Sequence, residues 1–235
     1  MPDPPARSAA PGPPAGEMQP YGFKCYALGR SCVSPDSSGA DTAGSEYAQR
    51  LTHLEGAWWR RITPVQLPYA LHLKSLRLGR TLDVGCGIGR NLKNLAAGSL
   101  GVDHNVASVE IARARGLQAC SVEELAALPL ERTNGFDALL LAHVVEHMGA
   151  PECDALLAAY LPRLRSGGRL VLIAPQEKGY TTDATHVRFV DAMALRAMAE
   201  RQGLVVERSY SFPFPRLVGR SFPYNEFVLV ARKAA

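Results

Sequence analysis

An apolar strand that runs straight into three closely spaced glycines constrains this chain more than any other feature. Arg80-Thr81-Leu82-Asp83-Val84 is short and apolar, as a buried parallel strand should be. It leads into Gly85, Gly87 and Gly89. Glycine lets the backbone turn sharply and removes the side chain that would hold a ligand away. A helix is expected directly after, at about residues 88–96, with unpaired N–H groups at its start. A strand, a bend and a helix in this order open a ligand-binding α/β fold.

The details of the bend narrow the ligand. Dinucleotide sites hold pyrophosphate with the spacing G-x-G-x-x-G. Here the spacing is Gly85-x-Gly87-x-Gly89, and Asp83 stands two positions before the first glycine. A carboxylate there repels pyrophosphate and suits a cationic amino group. The next apolar run, Ser99-Leu100-Gly101-Val102, ends at Asp103, 18 residues after Gly85. An acidic residue at that position accepts hydrogen bonds from ribose hydroxyls. Together these residues favour S-adenosylmethionine over a dinucleotide.

Downstream, strand and helix patterns alternate, which predicts a parallel sheet. Further strands are expected at Leu117–Cys120, Phe136–Ala142, Arg169–Ala174, Leu204–Ser211 and Glu226–Ala231. Asn105 is placed to cap a helix Val106–Arg115, closed by Gly116. A long helix is expected at Cys153–Leu164, and Asp191 is placed to cap another reaching Gln202. The last two strands enclose a Pro/Phe-rich loop. The expected class is α/β: a Rossmann-like, doubly wound seven-stranded sheet, mostly parallel, with a C-terminal antiparallel hairpin.

Residues 1–45 are rich in Pro, Ala, Gly and Ser and read as a disordered leader. Residues 46–78 read as a helical cap. Leu51, Leu54, Trp58 and Ile62 share a helical face, and Pro68 opens a second helix through Leu76. Residues 79–235 form the ligand-binding domain. The five cysteines are odd in number and make no C-x-x-C pair. That argues against a disulfide framework or zinc site and for a reducing compartment. A net charge of +4 without a basic block does not imply a nucleic-acid partner. With no apolar run of membrane length and no signal-peptide core, the expected location is cytoplasmic.

The chain resembles the class I S-adenosylmethionine-dependent methyltransferases, of the small-molecule group that includes the ubiquinone-pathway O-methyltransferases. The resemblance spans roughly residues 78–205. It is carried by Leu82–Gly89, Gly101-Val102-Asp103, Phe136–Leu140 with Val145-Glu146-His147, and Leu164–Leu172; Thr185–Phe189 matches less specifically. It implies S-adenosylmethionine as methyl donor. The expected contacts are Asp83, Gly85, Cys86, Gly87, Gly89, Asp103, His104, Ser121, Val122, Ala142 and His143. Family members often carry Asp-Ala after strand three to meet the adenine amino group. Ser121 or Glu123 would substitute here. In related enzymes the N-terminal helices cap the cofactor and line the substrate pocket.

His143-Val144-Val145-Glu146-His147 also spells an inverted zinc-protease pattern, H-x-x-E-H. Its place after a buried strand, inside a full methyltransferase pattern, argues against that reading. Some related O-methyltransferases carry E-x-x-E-H here and bind a divalent metal. His143, Glu146, His147 and His186 are the corresponding set. The preferred reading is plainer: no metal, with Glu146 and His147 tying the turn to neighbouring backbone. A hydroxyl acceptor benefits from a general base, for which His147 and His186 are the candidates and His143 the third.

The tail around Tyr210, Phe212, Phe214, Arg216, Arg220, Phe222 and Tyr224 either lines a pocket for a planar or anionic substrate or packs as a hairpin. The expected activity is methyl transfer to a small molecule, most readily at oxygen. The alternatives are an RNA or protein methyltransferase and a cofactor-binding regulator without turnover. No Asn-Pro-Pro-Tyr-type motif follows strand four, which counts against base amines.

Overall fold

The computed structural model describes residues 66–129 and 135–235. The leader, Trp58 and Trp59, and all of the helical segment before Gln66 lie outside the described residues. Seven strands form one sheet: β1 (Thr81–Val84), β2 (Leu100–Asp103), β3 (Ala119–Ser121), β4 (Phe136–Ala142), β5 (Leu164–Pro175), β6 (Val205–Phe212) and β7 (Glu226–Arg232). Their order across the sheet is β3-β2-β1-β4-β5-β7-β6. Neighbours from β3 to β5 pair in parallel, and β7 runs antiparallel to both β5 and β6. The expected architecture and all seven expected strands are present.

The helices are α1 (Gln66–Ser75), α2 (Val106–Ala114), α3 (Val122–Ala127), α4 (Ala150–Tyr160), α5 (Glu177–Tyr180) and α6 (Ala192–Arg201). β4 alternates its side chains between two layers, as a pleated strand must. Leu139 and Leu141 join Leu156, Leu157, Leu195 and Met198 of α4 and α6 in one buried cluster. Leu140 and Ala142 join Leu73 and Leu76, at and just past the end of α1, in another. Two caps are as expected. Asn105 accepts from the Ser108 N–H at 3.1 Å, and Asp191 accepts from the Ala194 N–H at 2.8 Å.

Two expected elements differ. No α-helix follows the glycine bend. Gly85, Gly87 and Gly89 all take positive φ, at 75°, 52° and 83°, which a right-handed helix excludes. Only a 3₁₀ turn, Leu92–Asn94, forms there. The helix expected to reach Leu164 ends at Tyr160, because Leu164 already pairs with Phe136 and begins β5. Among the described residues, no helix is long and apolar enough to cross a membrane.

Candidate active site

The carboxyl ends of β1, β2 and β4 and the first residue of the reversed β7 meet along one edge of the sheet. The bend after β1 is sewn to β2, with the Gly85 and Cys86 N–H groups both donating to Val102 O, at 2.8 and 3.1 Å. A Cβ on Gly85 would lie 2.5 Å from Val144 Cγ2, so the bend also packs against the turn after β4. The carboxylate of Asp103 accepts from the Gly87 N–H at 2.7 Å and from the Asn105 N–H at 2.8 Å. A carboxylate has about four acceptor positions, so Asp103 keeps capacity for a ligand's hydroxyls. His104 Nδ1 lies 3.4 Å from the same group.

Asp83 is 1% exposed, and neither carboxylate oxygen has a hydrogen-bond partner. Burial, with Asp103 adding to it, pushes its pKa up to about 8. A buried acid without partners is costly when ionised. A cationic group brought to it would favour the charged form.

Cys86 differs from its expected role. Its Sγ packs where a Cβ on Gly101 would come within 2.7 Å, and burial drives its thiol pKa upward. The side chain fills the interior, leaving only the Cys86 backbone at the bend. Ser121 is also engaged: its hydroxyl oxygen accepts from the Glu124 N–H at 3.1 Å while its own N–H donates to Glu124 Oε2 at 2.7 Å. This capping box starts α3 and engages the Ser121 hydroxyl, while Glu123 stands exposed in the first turn of the helix. Val122 follows as the first residue of that helix.

Beyond Ala142 the chain turns at His143, which takes φ 58°, a conformation few non-glycine residues adopt. Its ring is bracketed by carboxylates, Nε2 at 2.8 Å from Glu226 Oε1 and Nδ1 at 3.2 Å from Glu146 Oε1. Burial alone would lower its pKa, but Glu226 and Glu146 outweigh that and raise it to about 10. With both ring nitrogens turned to carboxylates, His143 has no lone pair directed at a substrate in this arrangement.

His147 and His186 stand with ring centroids 4.9 Å apart. Nδ1 of His186 faces Tyr180 O at 2.7 Å, and Nδ1 of His147 faces Thr185 O at 3.1 Å. The Thr185 hydroxyl donates to Asp183, so toward His147 Nδ1, 3.2 Å away, it can only accept. In both rings Nδ1 is therefore the donor, so the neutral tautomer of each carries its lone pair on Nε2. Burial lowers the His147 pKa, which keeps that ring neutral. Glu146 is wholly buried, and its Oε1 faces imidazole nitrogens, His143 Nδ1 at 3.2 Å and His186 Nε2 at 4.0 Å. Glu146, His147 and His186 offer ligand atoms within 4.8 Å of one another, whereas His143 stands outside that trio. The tie expected of Glu146 is made by its backbone: Glu146 O accepts from Val187 and Arg188.

Two residues of this site were absent from the sequence reading. Glu226 opens β7 and pairs with His143. Tyr69 on α1 turns a buried hydroxyl, without a partner, toward the same region. Its pKa is raised by burial, then by Glu226, Asp83 and Glu146. The expected antiparallel hairpin already contained the strand that Glu226 opens, but not its pairing with β5, which brings Glu226 to His143; Tyr69 carried no comparable signal.

Residues 82–172 match the family described as a methyltransferase domain. A ubiquinone biosynthesis O-methyltransferase of Xanthomonas oryzae pv. oryzae is 32% identical over 139 residues, covering 51% of this chain and 56% of that protein. The same-named protein of Xanthomonas campestris pv. campestris is 29% identical, covering 59% and 64%. The chain thus spans little more than half the length of these relatives. Among solved structures, magnesium protoporphyrin IX methyltransferase from Synechocystis PCC 6803 with bound S-adenosylhomocysteine superposes with a TM-score of 0.60 at 17% identity, covering 83% of this chain and 97% of that one. A methyltransferase from Archaeoglobus fulgidus gives 0.55 at 20% identity, covering 81% and 100%. These two likenesses establish the shared fold.

Proposed function

We propose that this chain, whose residues 82–172 match the methyltransferase-domain family, is a class I S-adenosylmethionine-dependent methyltransferase that moves a methyl group onto an oxygen of a small molecule. The observation that carries the reading is Asp83: a buried carboxylate without partners, beside a glycine bend whose N–H is tied to Asp103. That pair fits a ligand with a cationic amino group at one end and ribose hydroxyls at the other. Gly85, Gly87 and Gly89 keep the bend free of side chains. His104, Val122, Ala142 and the backbone of Cys86 and His143 complete the expected surround.

When bound, the cofactor supplies a methyl carbon made electrophilic by its sulfonium. The protein's part is to align the acceptor and to take its proton. The lone pairs of His147 and His186 are the available proton acceptors. His143, fixed between Glu226 and Glu146, positions a substrate through its charge.

The trio Glu146, His147 and His186 favours a second reading of the same site, in which these residues hold a divalent cation. Imidazole lone pairs and a buried carboxylate are suitable ligands for such an ion. A cation there would orient substrate oxygens.

Calorimetry with S-adenosylmethionine tests the cofactor assignment. Saturable binding that weakens in Asp103→Ala is expected; binding of NAD in its place would overturn it. Incubation with a small-metabolite extract, read by mass spectrometry for S-adenosylhomocysteine, separates an enzyme from a regulator without turnover. Binding to RNA that weakens steeply with salt would favour the nucleic-acid alternative instead.

A further inference from the structure

A cavity of about 360 Å³ opens on the opposite edge of the sheet, lined by Arg77, Leu78, Gly79, Asp137, Arg165, Gly167, Arg169 and Arg232. It lies at the amino end of β4. Five residues of strand separate Asp137 from Ala142, about 17 Å at the usual rise. No residue of the cavity belongs to the site described above.

Four arginines line this cavity, and the guanidinium groups of three of them are held from behind. Arg169 Nη2 donates to Arg77 O at 2.6 Å. Arg232 Nη1 donates to Gly167 O at 2.7 Å, and its Nε pairs with Glu207. Arg165 Nε donates to Asp137 Oδ1 at 2.7 Å and its Nη1 to Ser166 O at 3.1 Å. Carbonyl anchors fix a guanidinium without cancelling its charge. Among the described residues, two carboxylates, Asp137 and Glu207, pair with these arginines. The loop that carries Arg77 is itself constrained. Arg77 takes φ 48°, and a Cβ on Gly79 would lie 2.5 Å from Asp137 Oδ2.

Like charges kept this close repel one another, and an anion between them removes the repulsion. Arginine presents several N–H donors in a rigid fork that matches phosphate oxygens. Anchoring the forks in advance reduces the side-chain freedom lost on binding. The volume lies within the range of small-ligand sites. We infer that this cavity binds a phosphate-type polyanion, such as pyrophosphate or the polyphosphate of a nucleotide, at a site separate from the methyl-transfer pocket. The same chemistry is offered by a free phosphate and by an anionic lipid headgroup.

The test uses the full chain and two variants, Arg77→Ala and Arg169→Gln, neither of which removes a carboxylate pairing. Pyrophosphate is titrated by calorimetry, and vesicles of phosphatidylglycerol in phosphatidylcholine are tested by co-sedimentation. Expected is saturable pyrophosphate binding, at least tenfold weaker in either variant, unchanged by saturating S-adenosylhomocysteine. Vesicle binding lost in the variants, with pyrophosphate bound only weakly, would assign the anion to a headgroup. Competition with S-adenosylhomocysteine, or responses equal in wild type and variants, would overturn the inference. Thermal unfolding of the variants within a few degrees of wild type confirms that they are folded.

Discussion

Gly87 donates its N–H to Asp103 Oδ2 at 2.7 Å, so the bend after β1 and the end of β2 form one rigid unit before any ligand arrives. The Asn105 N–H holds the other oxygen of the same carboxylate at 2.8 Å. Asp103 therefore builds the pocket as well as facing it. Asp103→Asn keeps an acceptor but replaces the second one with an amide donor that would oppose an N–H. The expected result is a lower Tm together with weaker S-adenosylmethionine binding, read by thermal unfolding and calorimetry. Loss of binding at unchanged Tm would mean that the tie to the bend contributes nothing.

Gly85→Ala forces a side chain onto φ 75° and toward Val144 Cγ2. Such strained conformations cost about 1–3 kcal/mol. The variant should unfold at a lower denaturant midpoint and bind cofactor more weakly, because the bend must shift away from β4.

Asp83 gives a proton-linked signature. Its folded pKa is about 8, raised by burial and then by Asp103. The unfolded value is about 4. Folding therefore disfavours the ionised form. The associated stability is present below pH 4 and is lost as pH climbs toward 8. The Tm of wild type should fall across that window relative to Asp83→Asn. At pH 7 the acid is mostly protonated, so an arriving ammonium group should release a proton. The binding enthalpy should then vary with the buffer's ionisation enthalpy in wild type and not in Asp83→Asn.

His72 provides an acid-side counterpart. Its Nε2 lies 2.6 Å from Tyr210 Oη, its ring stacks on Phe212, and its Nδ1 is buried without a partner. Burial, with Arg208 adding to it, lowers its pKa. A lowered folded value means that the contribution holds above the ordinary histidine range, about pH 6.5, and is lost as pH falls below it. His72→Gln should therefore lose less stability than wild type between pH 7 and 5, measured by thermal unfolding.

Glu146→Gln separates the two readings of the histidine turn. The backbone carbonyl of Glu146, not its side chain, holds Val187 and Arg188, so the fold should survive. Without a divalent cation the variant should be less stable than wild type, because the buried carboxylate that faces His143 Nδ1 at 3.2 Å is neutralised and the imidazolium loses one of its two partners. If the trio binds such an ion, manganese should raise the Tm of wild type and leave Glu146→Gln unchanged. Equal rates before and after exhaustive chelation would reject the cation.

Much of the fold was legible because strands buried on both faces are written as apolar runs, and their caps as Asn105 and Asp191. The glycine cluster marked the right bend but the wrong continuation, since positive φ at three residues stops a helix from starting there. The helix α3 was overlooked although Ser121 and Glu124 spell a capping box, S-x-x-E. His147 and His186 were found by type and brought together by the fold. The bracketing of His143 was not legible, because Glu226 reaches it only through strand pairing across the sheet.

The reversal of β7 carries an evolutionary corollary. Because that strand enters the sheet from the ligand edge, the connection at residues 213–225 leaves and rejoins the sheet at that edge, while the glycine bend and Asp103 lie far upstream in the chain. On the proposed reading of the site, this one crossing can be lengthened or rewritten while the bend at Gly85–Gly89 and its tie to Asp103 stay intact.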